Sequence, residues 1–353
     1  MSADSDTDYG NTDLNTDGGS VDDTDEMNED INDHNETTLP PTTLRSGGFS
    51  FATTHRNPSQ VITESTIPLR HLAREGVIDL GDTLVMELFE ESEILELKEL
   101  IPEVQKPDEH FARSLGRFWG AKSNTFREIL ETVPYREENV TYQREIHADA
   151  EIRLYERHPN LNNVEAKEGW LDSNIWAMLI DSCVVGHDGL FLQRKEVQSS
   201  SLEWSSKQRG TEPHSRNPRS KLDGLVYTLD NPRLEFGAVE VSSDFKNTST
   251  PKWLNDSNKL LTTIHTMAMR MSDLVEHHED TMKALQFVAF IHAGLKFQVY
   301  RLFMISQTQS VCVPGKLREV PPTLDDLQEI IEPMNSIHMA MASSSGCSVI
   351  NPC

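Results

Sequence analysis

Basic charge, cysteine and long apolar runs are what this chain has least of. Its 353 residues carry 57 Asp and Glu against 32 Lys and Arg, a net charge of −25. Proteins that grip duplex nucleic acid over a broad surface are normally basic, so this balance counts against strong non-specific duplex binding. The 4 cysteines, Cys183, Cys312, Cys347 and Cys353, form no Cys-x-x-Cys pair, and no His stands at zinc-finger spacing. That excludes a zinc-finger module and fits free thiols in a reducing compartment. No apolar run approaches the ~18 residues of a membrane helix. The N-terminus has neither the basic nor the apolar region of a signal peptide. The expectation is an intracellular protein, nuclear or cytoplasmic, with no membrane partner. A Gly-rich phosphate loop of the Walker or dinucleotide type is missing, as is a Ser nucleophile elbow.

The acid is concentrated at one end. Residues 1–45 hold thirteen Asp or Glu against a single basic residue, Arg45, with few aromatic or branched apolar residues. Such a segment buries too little apolar area to offset its ordering entropy. It reads as a disordered acidic tail suited to meeting a protein partner or mimicking DNA. Residues 46–163 read as a mostly helical N-terminal region. Within it, Asp82 N-caps a broadly helical pattern to Leu100, and a second helix is expected over Glu109 to Val133. Residues 164–343 carry the remaining pattern, and 344–353 form a Ser-rich flexible tail.

Residues 165–185 have the wide apolar face of a helix, with Glu165, Glu168 and Asp172 in its N-terminal part. Those acids also suit the positive end of a helix on simple electrostatic grounds. A short strand over Leu190 to Arg194 precedes residues 199–220, whose Ser, Pro and Gly predict a loop. Between Arg194 and Lys221 stand seven basic and three acidic residues, the one clearly basic interval of the chain. Lys and Arg there, including Arg209, Arg216, Arg219 and Lys221, suit phosphodiester oxygens. A solvated loop with incidental charge is the other reading. Lys252 to His278 shows the strongest helical period, from Leu260, Leu261, Ile264, Met267, Ala268 and Met271. Its Met residues are core filler. Residues 284–293 and 295–305 read as strands about Gly294, Gln309 to Val313 as a third, and Leu324 to Ala342 as a final helix. This order predicts an α/β fold with a mixed sheet flanked by helices.

The most informative stretch is Lys221 to Ser242, two strands joined by a turn. Asp223 lies near the start of the first and Glu240 near the end of the second, each embedded in apolar residues. Acids are depleted in strands and rarely buried without a partner. Two on paired strands suggest a cation site, because Mg²⁺ is held by one or two carboxylates plus water and substrate phosphate. Alternatively, Asp223 is an edge residue and Glu240 pairs with a Lys or Arg.

This arrangement resembles the PD-(D/E)XK nuclease superfamily over about Trp170 to Met339. Leu222-Asp223 stands where Pro-Asp would be, and Glu240-Val241-Ser242 where Glu-x-Lys would be. The chain also resembles divergent fungal proteins with such a domain, some linked to mobile elements. The resemblance implies a restriction-endonuclease-like mixed sheet and a Mg²⁺ or Mn²⁺ site at Asp223 and Glu240, with Glu168 as the helical third ligand. It also implies a lysine beside them. Ser242 replaces that lysine, and Lys246, Lys252 and Lys259 are within reach in sequence. Lys259 is favoured, since a helix anchors a long side chain better than a loop does.

Two functions follow. One is divalent-metal-dependent hydrolysis of nucleic acid, with Asp223, Glu240 and Lys259 as catalytic residues. The other is a catalytically degenerate nuclease fold that serves as a protein or nucleic-acid interaction module, which Ser242 and the acidic body favour. A helical scaffold with a small sheet is a third reading, but it leaves Asp223 and Glu240 without a role.

Overall fold

The apolar run around Glu240 becomes the middle of a sheet, and β4 (Glu235–Ser242) is buried at every position. A strand covered on both faces reads this way. This computed structural model describes residues 58, 61–62, 71–103, 154–164, 167–185, 189–209, 221–229, 232–323 and 337. The acidic tail, the helix expected over 109–133, Arg216, Arg219, most of the expected final helix and the C-terminal tail lie outside these residues.

The described elements run β1 (Val77–Asp79), α1 (Thr83–Met86), α2 (Glu91–Glu99), α3 (Glu168–Leu171), a π-helical segment (Asp172–Trp176), α4 (Ala177–Val185), β2 (Leu190–Gln198) and α5 (Ser200–Gln208). They continue as β3 (Lys221–Thr228), β4, α6 (Pro251–Leu274), α7 (Glu279–Ala284), β5 (Phe287–Ala293), β6 (Lys296–Met304), β7 (Ser310–Pro314) and β8 (Arg318–Glu319). The strands make one mixed sheet in the order β1-β7-β6-β5-β4-β3-β2, with β8 on β6. β4 pairs parallel to β5, and β1 parallel to β7. The expected α/β architecture is therefore present.

A parallel pair needs a crossover, and α6 supplies it between β4 and β5. Pro251 opens α6 at a position where its missing N–H costs nothing. Leu260, Leu261, Ile264, Met267, Ala268 and Met271 bury that helix on β4 and β5. The other face is covered by the segment around Trp176, whose ring stacks on His292 of β5 at 4.3 Å between centroids. Arg194 of β2 ties in the same segment, reaching Asp172 Oδ1 at 2.5 Å, Asp181 Oδ1 at 2.7 Å and the Trp176 carbonyl at 3.1 Å.

Several boundaries differ from the sequence reading. The helical pattern after Asp82 breaks into α1 and α2, because a capping box between Glu90 and Glu93 starts a new helix. Asp82 does cap α1, accepting from the Leu84 and Val85 amides. The expected helix over 165–185 contains the π-helical turn. α6 ends at Leu274, before Glu276 and His277 adopt left-handed φ of 51° and 59°. The region before Asp82 contributes β1, too short to show a period.

The largest correction is α5, which lies where a loop is expected. Its serines are poor interior helix formers but good caps. Ser199 caps the helix through the Ser201 and Leu202 amides. The decisive group is distant in sequence. A bulge in the β3–β4 ladder sets Tyr227 opposite Glu235 but Val226 opposite Gly237, which turns Glu235 onto the α6 face. Its carboxylate then accepts from Ser199 Oγ at 2.6 Å, Ser200 N and Oγ both at 2.8 Å, Ser201 N at 3.0 Å and Ser201 Oγ at 2.7 Å. Burial works against the charged form, but these hydrogen bonds prevail and hold the Glu235 carboxyl below its ordinary range.

Glu235→Ala is expected to cost about 3 kcal/mol at pH 7, as for a buried charge-assisted network. Because the folded pKa is depressed, this stabilisation is present above the unfolded carboxyl pKa and is lost as pH falls through the folded value. Denaturation midpoints of wild type and variant should therefore converge as the pH falls below the ordinary carboxyl range. A constant difference would contradict the assignment.

Candidate active site on the β3–β4 hairpin

Gly224 pairs with Val239, and continuing that register sets Asp223 opposite Glu240. Residues directly opposite in an antiparallel pair share a face, and here it is the face covered by α6. Gly224 is also needed for the close approach, since a Cβ there would meet Val239 Cβ and Cγ2 at 3.0 Å. The Asp223 side chain closes the ladder itself: Oδ2 accepts from the Val241 N–H at 2.7 Å. Oδ1 accepts no hydrogen bond from the described residues. β2 bulges opposite this point, and Lys195 and Glu196 take left-handed φ of 70° and 51°. Two consecutive non-glycine residues in that region carry strain of order 1–3 kcal/mol each.

Glu240 is 4 % exposed. Lys259 of α6 brings Nζ to 2.5 Å from its Oε1. The pair is a close ion contact rather than an aligned hydrogen bond, and Oε1 is otherwise unpartnered. Both sequence readings of Glu240 meet here, since the favoured lysine is also its ion-pair partner. Two residues on, Ser242 Oγ donates to Asp256 Oδ2 at 3.1 Å. Asp256 in turn holds Lys252 Nζ at 2.9 Å from Oδ2 and 3.2 Å from Oδ1. Lys252, Asp256 and Lys259 recur every three or four residues, so one stripe of α6 carries the polar contacts to Glu240 and Ser242. Glu240, Lys252, Asn255, Asp256, Asn258 and Lys259 line an open cleft of about 770 Å³.

The field here is acidic. Burial pushes the Glu240 carboxyl up to about 7; Lys259 opposes this, while Asp223 and Asp256 add to it. Asp223 is also raised, by burial first, against the Val241 amide and Lys259. Glu168, the first residue of α3, is raised by burial and then by Asp223. Glu168 therefore lies within electrostatic range of Asp223, Asp256 and Lys252. Among the described residues, no group of three or more His, Cys, Asp or Glu side chains could hold a metal ion.

The other expected residues that are described make contacts of their own. Lys246 is exposed in the loop after β4. Arg209 ends α5 and folds back on Ser205, with Nη2 donating to Oγ at 2.8 Å. Lys221 pairs with Glu196 at 2.9 Å. The sequence reading missed Asp256, which looked like one more polar position on an amphipathic helix. Its i,i+4 spacing from Lys252 was the available signal. Comparison with known proteins finds no matching family model and no matching curated protein. Among the described residues, no helix is long and apolar enough to cross a membrane.

Lys259→Met should leave the Glu240 charge buried and unpaired, at a cost of about 3 kcal/mol above pH 8. The loss should shrink towards pH 5.5, because protonation then removes the charge. The sign follows from the raised pKa: between the unfolded value and about 7 the folded state binds more protons, so stability falls as pH rises. Thermal unfolding of the variant across this range checks it, and a pH-independent loss would oppose it.

Proposed function

We propose that this protein is a divalent-metal-dependent phosphodiesterase acting on nucleic acid, on a restriction-endonuclease-like fold. The observation that carries the reading is the approach of Lys259 Nζ to Glu240 Oε1, on the strand paired with the one bearing Asp223. Ser242 supplies no positive charge, and Lys259 provides it from α6 instead.

The residues suit Mg²⁺ or Mn²⁺. Glu240 Oε1 has no partner besides the Lys259 ammonium, Asp223 Oδ1 is free of hydrogen bonds from the described residues, and Glu240 lines an open cleft. Mg²⁺ needs only one or two protein carboxylates when water and phosphate complete its shell. A metal bound there would acidify its water and neutralise charge on the phosphate. Asp223 and Glu240 would hold the ion. Lys259 would balance Glu240 in the resting site and face the phosphate once the acid turns to metal. In such a hydrolysis the water oxygen would bond to phosphorus as its proton passes to solvent, and the ester P–O bond would break with the departing oxygen taking a proton from solvent. Lys221 and Arg209 supply positive charge on the approach, while the acidic body keeps binding weak without metal.

Purified protein should nick DNA or RNA with Mg²⁺ or Mn²⁺. Asp223→Ala and Glu240→Ala should abolish cutting, and Lys259→Met should reduce it at least about 100-fold, the usual cost of removing one electrostatic stabiliser. A second reading is favoured by the same contact, because Lys259 already neutralises Glu240 in the manner of a structural ion pair. If wild type cuts no better than an Asp223→Ala, Glu240→Ala double variant, the hydrolytic reading fails. The interaction-module reading then predicts metal-independent binding that needs Arg209 and Lys221 and weakens steeply with salt.

A further inference from the structure

We infer that Lys252 is a second phosphate-contacting cation of this site, and that Asp256, braced by Ser242, is the positioning residue that holds it there. The inference rests on the hydrolytic reading above and adds residues to it.

Asp256 is the starting point. It is 8 % exposed, the one buried carboxylate of α6, and the chemistry assigned to Asp223, Glu240 and Lys259 does not use it. A buried carboxylate is tolerated where its oxygens are occupied. Ser242 Oγ occupies Oδ2 at 3.1 Å, and Lys252 Nζ spans Oδ2 and Oδ1 at 2.9 and 3.2 Å. The serine where the resemblance calls for lysine is therefore the brace of a lysine placed elsewhere. Lys252 lies in the first turn of α6 and one turn before Asp256, so the ammonium is held on a rigid element. Its side chain is 62 % exposed, and the two Asp256 oxygens leave it a spare N–H towards the cleft.

Charge supplies the reason for two lysines. Asp223 and Asp256 each act electrostatically on both Glu168 and Glu240, and Lys252 acts on both as well. With all four acids ionised, Lys252 and Lys259 leave two negative charges, which one divalent ion cancels. Without Lys252 the loaded site would remain negative and would repel a phosphodiester.

The test uses the full chain in single-turnover cleavage with Mn²⁺, with thermal unfolding as a control on folding. Lys252→Met should lower kcat about 100-fold with a smaller change in KM, as for a contact made in the transition state. Its unfolding midpoint should stay near wild type, since the side chain is mostly exposed. Lys252→Arg should recover much of the rate. Asp256→Asn should slow cutting, and adding it to Lys252→Met should cost no more than Lys252→Met alone, because Asp256 acts through Lys252. A Lys252→Met enzyme that cuts at the wild-type rate overturns this inference and leaves the hydrolytic reading standing. A double variant more than about tenfold slower than Lys252→Met overturns the positioning role. A wild type that does not cut overturns both readings together.

Discussion

β4 is covered on both faces, yet it carries two carboxylates and a hydroxyl on the side facing α6. Burying a charge without a partner costs several kcal/mol, so each of these groups has to be answered by whatever covers that face. Glu235 is answered by the start of α5, Glu240 by Lys259 and Ser242 by Asp256. These contacts fix where α5 and α6 sit along the strand, beyond what apolar packing alone would specify. The apolar stripe of α6 brings the helix to the sheet, and the polar stripe sets its register.

The two acids of β4 are moved in opposite directions by one strand's environment. Glu235 is fully supplied with donors, so its carboxyl is held low and serves structure. Glu240 is raised to about 7 by burial, which its one cation only partly offsets and to which Asp223 and Asp256 add. Acids whose environments leave them under-supplied are the ones with capacity for another ligand. The contrast separates a carboxylate saturated with hydrogen bonds from one held by a single cation, five residues apart on one strand.

The opposite face holds the hairpin in place. Arg194 joins β2 to Asp172 and Asp181, and Trp176 stacks on His292. Burial, with Arg194 nearby, keeps the His292 imidazole neutral. Just beyond Arg194, β2 bulges through Lys195 and Glu196, opposite Asp223. Strain of this kind persists where surrounding structure over-determines it. Here the Arg194 ion contacts on one side and the Lys221–Glu196 pair on the other hold the bulge.

Local pattern was enough to reveal the β3–β4 hairpin, the strands β5 to β7, the span of α6 and the unusual positions of Asp223 and Glu240, because period and composition are written in adjacent residues. It also narrowed the cation beside Glu240 to three lysines. α5 was invisible for the opposite reason: serines do not announce a helix, and the carboxylate that starts it arrives from Glu235, 35 residues away. The break before α2 and the bulge that turns Glu235 round depend on hydrogen bonds rather than hydropathy. Asp256 carries no sequence signal beyond its spacing from Lys252, and only packing places it between Ser242 and Lys252. Sequence alone determined the strongly periodic strands and helices and which acids sit among apolar residues. Only the tertiary structure decided which charges meet, because a charge's partner is set by the register of α6 on β4 and by desolvation, neither of which is a local property of the chain.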